Sequence, residues 1–321
     1  MLARPAILSD PMIAVLVIAT ALALFLPATG EARGAAQLVS NVAIFVLFLV
    51  NGMRIARSEI ARGLVNWRYF VPLLAWIFGA MALFGLGFMH LADLALPPLV
   101  ALGFLYFGCL PSTVQSATSY TSLAGGNVAL SVVGAALVNI VGVFVTAPLF
   151  AALGGGAAAE IGYDTIARIG VILVLPFVIG QAVQGWTRRW IAERKARIAW
   201  LDRAVIGIAV YVAFSGAVEQ GLAGLFGAGE WAALLGLVVG FLALAIAGAW
   251  LAGGALGLAR ADRIAFLFAG SQKSVAIGAP MAAILFAPET AGFVIAPLLL
   301  YHLLQLVVAA PLASRLARAS R

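Results

Sequence analysis

The residues Phe268-Ala269-Gly270-Ser271-Gln272-Lys273-Ser274 set a lysine beside a glutamine and two serines, with apolar runs on both sides. An ammonium, an amide and hydroxyls gathered at one place can hold an anion, solvate a cation or pass a proton. A second polar cluster, Ser112-Thr113-Val114-Gln115-Ser116-Ala117-Thr118-Ser119, follows Pro111. Asn139, His302 and Gln305 are further polar candidates inside apolar stretches. His302 and Gln305 stand three apart and so share a helix face. A histidine, with an ordinary pKa near 6.5, could carry a coupling proton. The plainer alternative is a hydrogen bond between helices, worth about 0.6–2 kcal/mol. No enzyme site stands out: there is no paired His/Cys metal spacing, no phosphate-binding glycine loop and no nucleophile–base pair.

The elements that must position these residues lie in a bilayer. Of the 321 residues, 64% are hydrophobic and only 10% charged, with a mean hydropathy of +1.12. Soluble domains are about 45–50% apolar and about 25% charged. A spanning helix needs about 20 mostly apolar residues. Ten candidate spans centre on 11–29, 37–54, 68–91, 97–122, 128–153, 165–186, 199–222, 231–256, 263–286 and 290–313. The first resembles a signal peptide but reads as a transmembrane helix, because its flank carries only Arg4, offset by Asp10. The lone Cys109 allows no internal disulfide.

Charge placement tests the count. With the N-terminus inside, the cytoplasmic segments hold Arg4; Arg54, Arg57, Arg62 and Arg68; Arg188 through Arg203; Arg260 and Arg263; and Arg315, Arg318 and Arg321. Of the nineteen lysines and arginines, only Arg33, Arg168 and Lys273 fall elsewhere. The opposite side collects Glu31, Asp93, Glu160, Asp164, Glu219, Glu230 and Glu289. The positive-inside rule therefore favours ten helices with both termini cytoplasmic. This basic face also accounts for the net charge of +7, so no nucleic-acid partner is expected. Trp67, Trp186, Trp190 and Trp231 fall at span ends, where they serve as interface anchors.

The chain also repeats itself. Val145-Thr146-Ala147-Pro148-Leu149 ends the fifth span, and Val308-Ala309-Ala310-Pro311-Leu312 ends the tenth. Gln115 and Gln272 sit at nearly the same offset, and Asn139 corresponds to His302. Five spans is an odd number, so residues 1–158 and 159–321 form two repeats of inverted topology, as in many secondary transporters. Pro111 in the fourth span, and Gly270, Gly278 and Pro280 in the ninth, are expected to break their helices. Broken backbone at membrane depth belongs where it is buried or lines a cavity. Paired interruptions in two halves are the best sequence pointer to a binding site. Proline kinks with serines bonded back to the preceding turn are the plain alternative.

Gly108-Cys109-Leu110-Pro111-Ser112-Thr113-Val114-Gln115-Ser116 and Gly126-Asn127-Val128-Ala129-Leu130-Ser131 resemble the bile acid:sodium symporter superfamily. The 268–274 run, Gly278-Ala279-Pro280-Met281, and Pro297 through Leu306 look like its bile-acid-symporter-like (SBF-like) branch. That branch includes bacterial inner-membrane proteins and eukaryotic members linked to calcium homeostasis. The resemblance covers nearly the whole chain. It implies an all-α membrane protein with a core domain, about 66–158 and 230–315, and a panel domain, about 10–65 and 165–225. Helices four and nine would unwind and cross near the midplane, with alternating access to a site between core and panel. In sodium-coupled members a carboxylate stands four residues before the glutamine equated with Gln272, and here that position is Phe268. The family's other ligands map to Gln115, Ser116, Ser131 and Gln272, but one hydroxyl position falls on Ala135. A third-span glutamine has no counterpart in 71–80.

Together these readings lead to an expected function. The chain is expected to be a secondary active transporter of a small anionic organic solute in a bacterial inner membrane, a monomer or weak homodimer. It needs no cofactor, and sodium coupling is weak or absent. The alternative from another class is a non-transporting regulator or sensor of ion homeostasis, calcium included. Lys273 lies ten residues past Arg263, about 15 Å along a helix and so near mid-membrane. A charged lysine there costs about 2.5–3.5 kcal/mol on insertion scales. It is expected to replace a bound cation at the crossover, solvated by backbone carbonyls and by Gln115, Ser116 and Gln272. Thr113, Ser271 and Ser274 complete the expected site. A purely structural lysine and a proton carrier are the competing roles.

Overall fold

In a computed structural model of the chain, residues 11–58, 66–158, 167–221 and 227–319 are described. Arg4, Asp10, Arg62, Glu160, Asp164, Arg321 and the 158/159 repeat boundary fall outside or at the edge of them. Among the described residues all regular structure is helical. We number the helices α1 (Pro11–Phe25), α2 (Glu31–Arg54), α3 (Trp67–Ala92), α4 (Pro98–Gly108), α5 (Gln115–Leu123) and α6 (Val128–Ala158). Then come α7 (Ala167–Glu193), α8 (Lys195–Glu219), α9 (Ala228–Ala255), α10 (Arg260–Ser271), α11 (Val275–Leu285) and α12 (Pro288–Arg318). Helices α3 and α7 each contain a π-helical turn, at Ala75–Ala80 and Gly170–Val174.

Seven of these helices, α2, α3, α6, α7, α8, α9 and α12, are long and apolar enough to cross a membrane. Helix α1 has only 15 residues; Pro27 follows it and Gly30, at φ +55°, turns the chain. The segments corresponding to the fourth and ninth expected spans are each divided into two short helices. Many large apolar side chains face outward, Phe25, Leu26 and Val71 among them. Every backbone polar group in a bilayer must be satisfied internally, and helices do this while leaving apolar side chains to face lipid.

The chain divides into two compact units. The first comprises Met1–Ala56, Gly155–Gly227 and Ala276–Ala296. Its helices pack through glycines. A Cβ on Gly52 would overlap the Phe177 carbonyl oxygen, and one on Gly180 would overlap that of Leu49. Gln181 Nε2 then donates to Gly52 O and Ile55 O, at 2.6 and 3.0 Å. Gly216 of α8 lies against Pro288, and Gly292 lies 2.5 Å, as a Cβ, from Ala213 O. Arg33 pairs with both Glu219 and Glu289, and Arg54 with Asp202 at 2.6 Å. These contacts fasten Ala276–Ala296 into this unit, whereas the family resemblance assigns that stretch to the core domain.

The second unit comprises Arg57–Gly154, Ala228–Val275 and Pro297–Arg321. Its core runs through Tyr69, Phe70, Leu73 and Ile77 of α3, Val133 and Val138 of α6, and Phe266 and Phe268 of α10. Helices α3 and α4 meet where a Cβ on Gly108 would stand 2.9 Å from Gly85 Cα.

Gly270, Gly278 and Pro280 do not break helices. Gly270 lies in the last turn of α10, where its bare Cα admits the Trp76 indole; a Cβ would meet its Cδ1 at 2.8 Å. Gly278 and Pro280 lie within α11, which continues past the one missing N–H. Pro111 is in the non-helical stretch between α4 and α5.

Overpacking a close contact typically costs about 1–3 kcal/mol. Gly52→Ala and Gly180→Ala should therefore lower the thermal unfolding midpoint in detergent. Gly87→Ala, whose added Cβ would meet nothing within 4 Å, should leave it unchanged.

Candidate functional site

The site is built where two helices stop in the second unit. Helix α4 ends at Gly108, and Pro111, which has no N–H and disfavours α conformation in the residue before it, prevents an early restart. Helix α5 begins at Gln115. Thr113 Oγ1 accepts the Ala117 N–H at 3.3 Å, as a capping side chain does. Helix α10 ends at Ser271, Gln272 is extended at φ −95° and ψ 148°, and α11 starts at Val275.

Stopping a helix orphans N–H and C=O groups, which must be paired when buried. Here the pairing is nearly complete. The Lys273 ammonium donates to Gly108 O at 2.7 Å and Leu110 O at 2.8 Å. Cys109 O accepts from Thr146 Oγ1 at 3.1 Å, and Pro111 O from the Ser274 N–H at 3.1 Å. On the α10 side, Gly270 O accepts from the Trp76 indole at 3.1 Å and Ser271 O from the Tyr301 hydroxyl at 2.5 Å. Gln305 spans Lys273 like an antiparallel strand partner. Its Oε1 accepts the Lys273 N–H at 2.8 Å, and its Nε2 donates to Lys273 O at 3.0 Å. The same Nε2 lies 2.9 Å from His302 Nδ1. An amide nitrogen only donates, so Nδ1 is the acceptor and is unprotonated.

Lys273 is 0% exposed. Its charge meets the carbonyl end of α4, where the helix dipole is negative. Among the described residues it has no carboxylate partner. Two acceptors serve three ammonium hydrogens, so one N–H is left over. The Gln272 side chain does not solvate the ammonium. Its Oε1 accepts from Thr113 Oγ1 at 2.7 Å and Ser116 Oγ at 2.5 Å, and those hydroxyls contact each other at 2.5 Å. Gln272 Nε2 and Ser112 Oγ are buried with no partner among the described residues.

Several expected residues lie apart from this centre. Gln115, the first residue of α5, is exposed and makes no side-chain bond to Lys273 among the described residues. Ser131 Oγ bonds Thr118 Oγ1 at 3.3 Å. Ser271 Oγ returns to Leu267 O at 2.7 Å, and Asn139 Nδ2 to Ala135 O at 2.6 Å; both satisfy their own helices. Ser274 contributes its backbone N–H. Trp76, Thr146 and Tyr301 escaped sequence reading. Their signal was a polar tip inside an apolar span, since buried Tyr and Trp usually find a partner for O–H or N–H. No three His, Cys, Asp or Glu side chains among the described residues gather to share a metal ion.

The model of the SBF-like CPA transporter family matches residues 10–318. An uncharacterized protein of Pseudomonas aeruginosa, PA2026, is 38% identical over 322 residues, covering 99% of this chain and 96% of the relative. The putative symporter YfeH of Escherichia coli is 35% identical over 318 residues, 96% of this chain and 93% of YfeH. Sodium/bile acid cotransporter 7 of Mus musculus is 25% identical over 280 residues, 84% of this chain and 80% of the relative. A match over nearly the whole chain, joined to seven helices of membrane-spanning length, makes this a multi-pass membrane protein of the SBF-like transporter family.

Proposed function

We propose that the protein is a secondary active transporter of a small anionic organic solute, with Lys273 as a built-in cation where two interrupted helices meet. The observation that carries this reading is the fully buried ammonium, held by two carbonyls and, among the described residues, opposed by no carboxylate. Among the described residues, the leftover Lys273 N–H, Gln272 Nε2 and the Ser112 hydroxyl are donors in excess. An unpaired buried donor costs about 1–3 kcal/mol, and an anion would satisfy it. The mouse relative's name joins sodium to a bile acid, an organic anion. For this chain we infer the anion and doubt the sodium. Phe268 is 1% exposed and packs on Tyr120, 5.9 Å between ring centres. Thr113 and Ser116 already donate their hydroxyl hydrogens to Gln272 Oε1. A sodium ion favours hard oxygen ligands and nearby negative charge, and the Phe268 ring, standing where sodium-coupled relatives are expected to carry a carboxylate, supplies no charge, which supports the doubt.

We further propose ten spans in two inverted repeats, with α4–α5 and α10–α11 as the interrupted fourth and ninth within a core of about 66–158 and 230–315 that moves against a panel of about 10–65 and 165–225. In support, α6 and α12 each run 31 residues, with Pro148 and Pro311 deep inside. Arg33, Glu219 and Glu289, assigned by charge to one face, meet one another. Arg54, assigned to the other, meets Asp202, which lies next to Arg203 of that same face. That face would be cytoplasmic, in a bacterial inner membrane. A structural lysine in a non-transporting regulator is the competing reading, favoured by the same two carbonyl bonds.

Thermal-shift screening of the purified protein against organic anions, bile acids among them, separates the two. The parent should be stabilised by at least one anion, and a folded Lys273→Met variant by none. If the variant binds and moves that anion as the parent does, Lys273 is scaffolding. Replacing sodium with potassium should leave uptake into vesicles unchanged, and a clear sodium requirement would contradict the ligand analysis. Trp76→Phe and Tyr301→Phe remove one bond each from a buried carbonyl. Each should destabilise by about 1–3 kcal/mol in unfolding assays while anion binding persists.

A further inference from the structure

In the first unit, α1 lies against α8. A Cβ on Gly207 would stand 2.8 Å from Val15 Cγ1, so the glycine sets how closely the helices approach. Beside that contact is a cavity of about 420 Å³, lined by Val15, Ala19 and Leu22 of α1 and by Ala204, Gly207 and Ile208 of α8. Tyr211 closes one side, and its hydroxyl donates to Leu26 O at 2.9 Å. The remaining lining is apolar. Ile18, Leu22 and Leu26, which also line it, are 58%, 47% and 68% exposed. For a membrane helix, exposure of that kind means contact with the hydrocarbon of the bilayer.

The charge at the mouth of this groove narrows its occupant. Trp200, Arg203, Ala204, Gly207, Ile208 and Tyr211 follow the i, i+3, i+4, i+7 spacing of one helix face. The apolar lining therefore continues, one turn toward the start of α8, into Arg203 and Trp200. The Arg203 guanidinium stands 5.1 Å from the centre of the Trp200 ring. Among the described residues it pairs with no carboxylate, for its neighbour Asp202 is engaged by Arg54 at 2.6 Å. An arginine on a tryptophan at the end of an apolar groove matches an amphiphile with an anionic head. Aromatic residues mark the headgroup level, and basic pockets between membrane helices take anionic lipid heads.

We propose that the α1–α8 groove holds an acyl chain of an anionic phospholipid of the bilayer, whose phosphate is bound by Arg203. This surface belongs to helices apart from the Lys273 centre, and the proposal does not depend on the transport reading. It can be tested by native mass spectrometry of the full chain in detergent, titrated with phosphatidylglycerol or phosphatidylcholine. The parent should retain phosphatidylglycerol in preference. Arg203→Gln should weaken that binding about fivefold and erase the preference, while Arg203→Lys should keep most of it. Ala204→Phe, which fills the groove, should reduce retention of both lipids at an unchanged melting temperature. Ile208→Trp repeats the filling from a second position should the first variant not fold. Equal retention of both lipids by the parent, or unchanged phosphatidylglycerol binding in Arg203→Gln and the filled variants, would overturn the proposal. So would a lipid-free parent dimer that Ala204→Phe splits, for the groove would then be seating a second copy of the chain.

Discussion

The Lys273 ammonium, buried between the carbonyls of Gly108 and Leu110, is the interaction on which the second unit is arranged. A lone charge at that burial is tolerated only when acceptors replace its water. Carbonyls become free acceptors only where a helix stops. The charge therefore requires α4 to end at Gly108, and Pro111 keeps it ended. For the lysine to reach across, α10 must stop as well, which orphans a second set of backbone groups. Trp76, Tyr301 and Gln305 pair with that set, and Thr146 pairs with Cys109 O. One charge thus accounts for bonds from α3, α6 and α12. Gly85 and Gly108, nearly touching, hold the same carbonyl end of α4 in place.

The first unit is held differently. Among its described residues there is no buried charge of this kind. Gly52, Gly180, Gly216 and Gly292 let backbones meet, as small residues do in membrane helix packing, where lipid removes the hydrophobic drive between helices. Its ion pairs lie near helix ends, with Arg33 joining Glu219 and Glu289 and Arg54 joining Asp202. Close backbone packing with pairs at the periphery holds the first unit, whereas the second is bonded around the ends of α4 and α10.

Much of this was legible in the sequence because membrane helices are long and apolar and carry their charges at the ends. The composition and the lysine between serines pointed to a membrane protein with a polar centre at residues 271–274 and 111–116, and Gln272 does join Thr113 and Ser116. What could not be read was direction. Gln115 and Ser116 are adjacent, yet one is exposed and the other bonded, because helix phase at the start of α5 depends on where the chain resumes coiling. Glycine and proline were misleading in the ninth span for a related reason. Gly270 is there to admit Trp76, and Pro280 sits in a helix that forgoes one bond. Backbone carbonyls do solvate Lys273 as expected, but which ones, Gly108 and Leu110, has no sequence signature.

The central claim is that a positive charge at the Lys273 Nζ position holds the two interrupted helices together. Chemical rescue tests it most directly. Lys273→Ala removes the ammonium and leaves room for a small amine, so the melting temperature in detergent should fall. Methylammonium should restore it, whereas an uncharged molecule of the same size should not. A Lys273→Ala variant that melts as the parent does, or one that methylammonium and the neutral analogue rescue equally, would contradict the account.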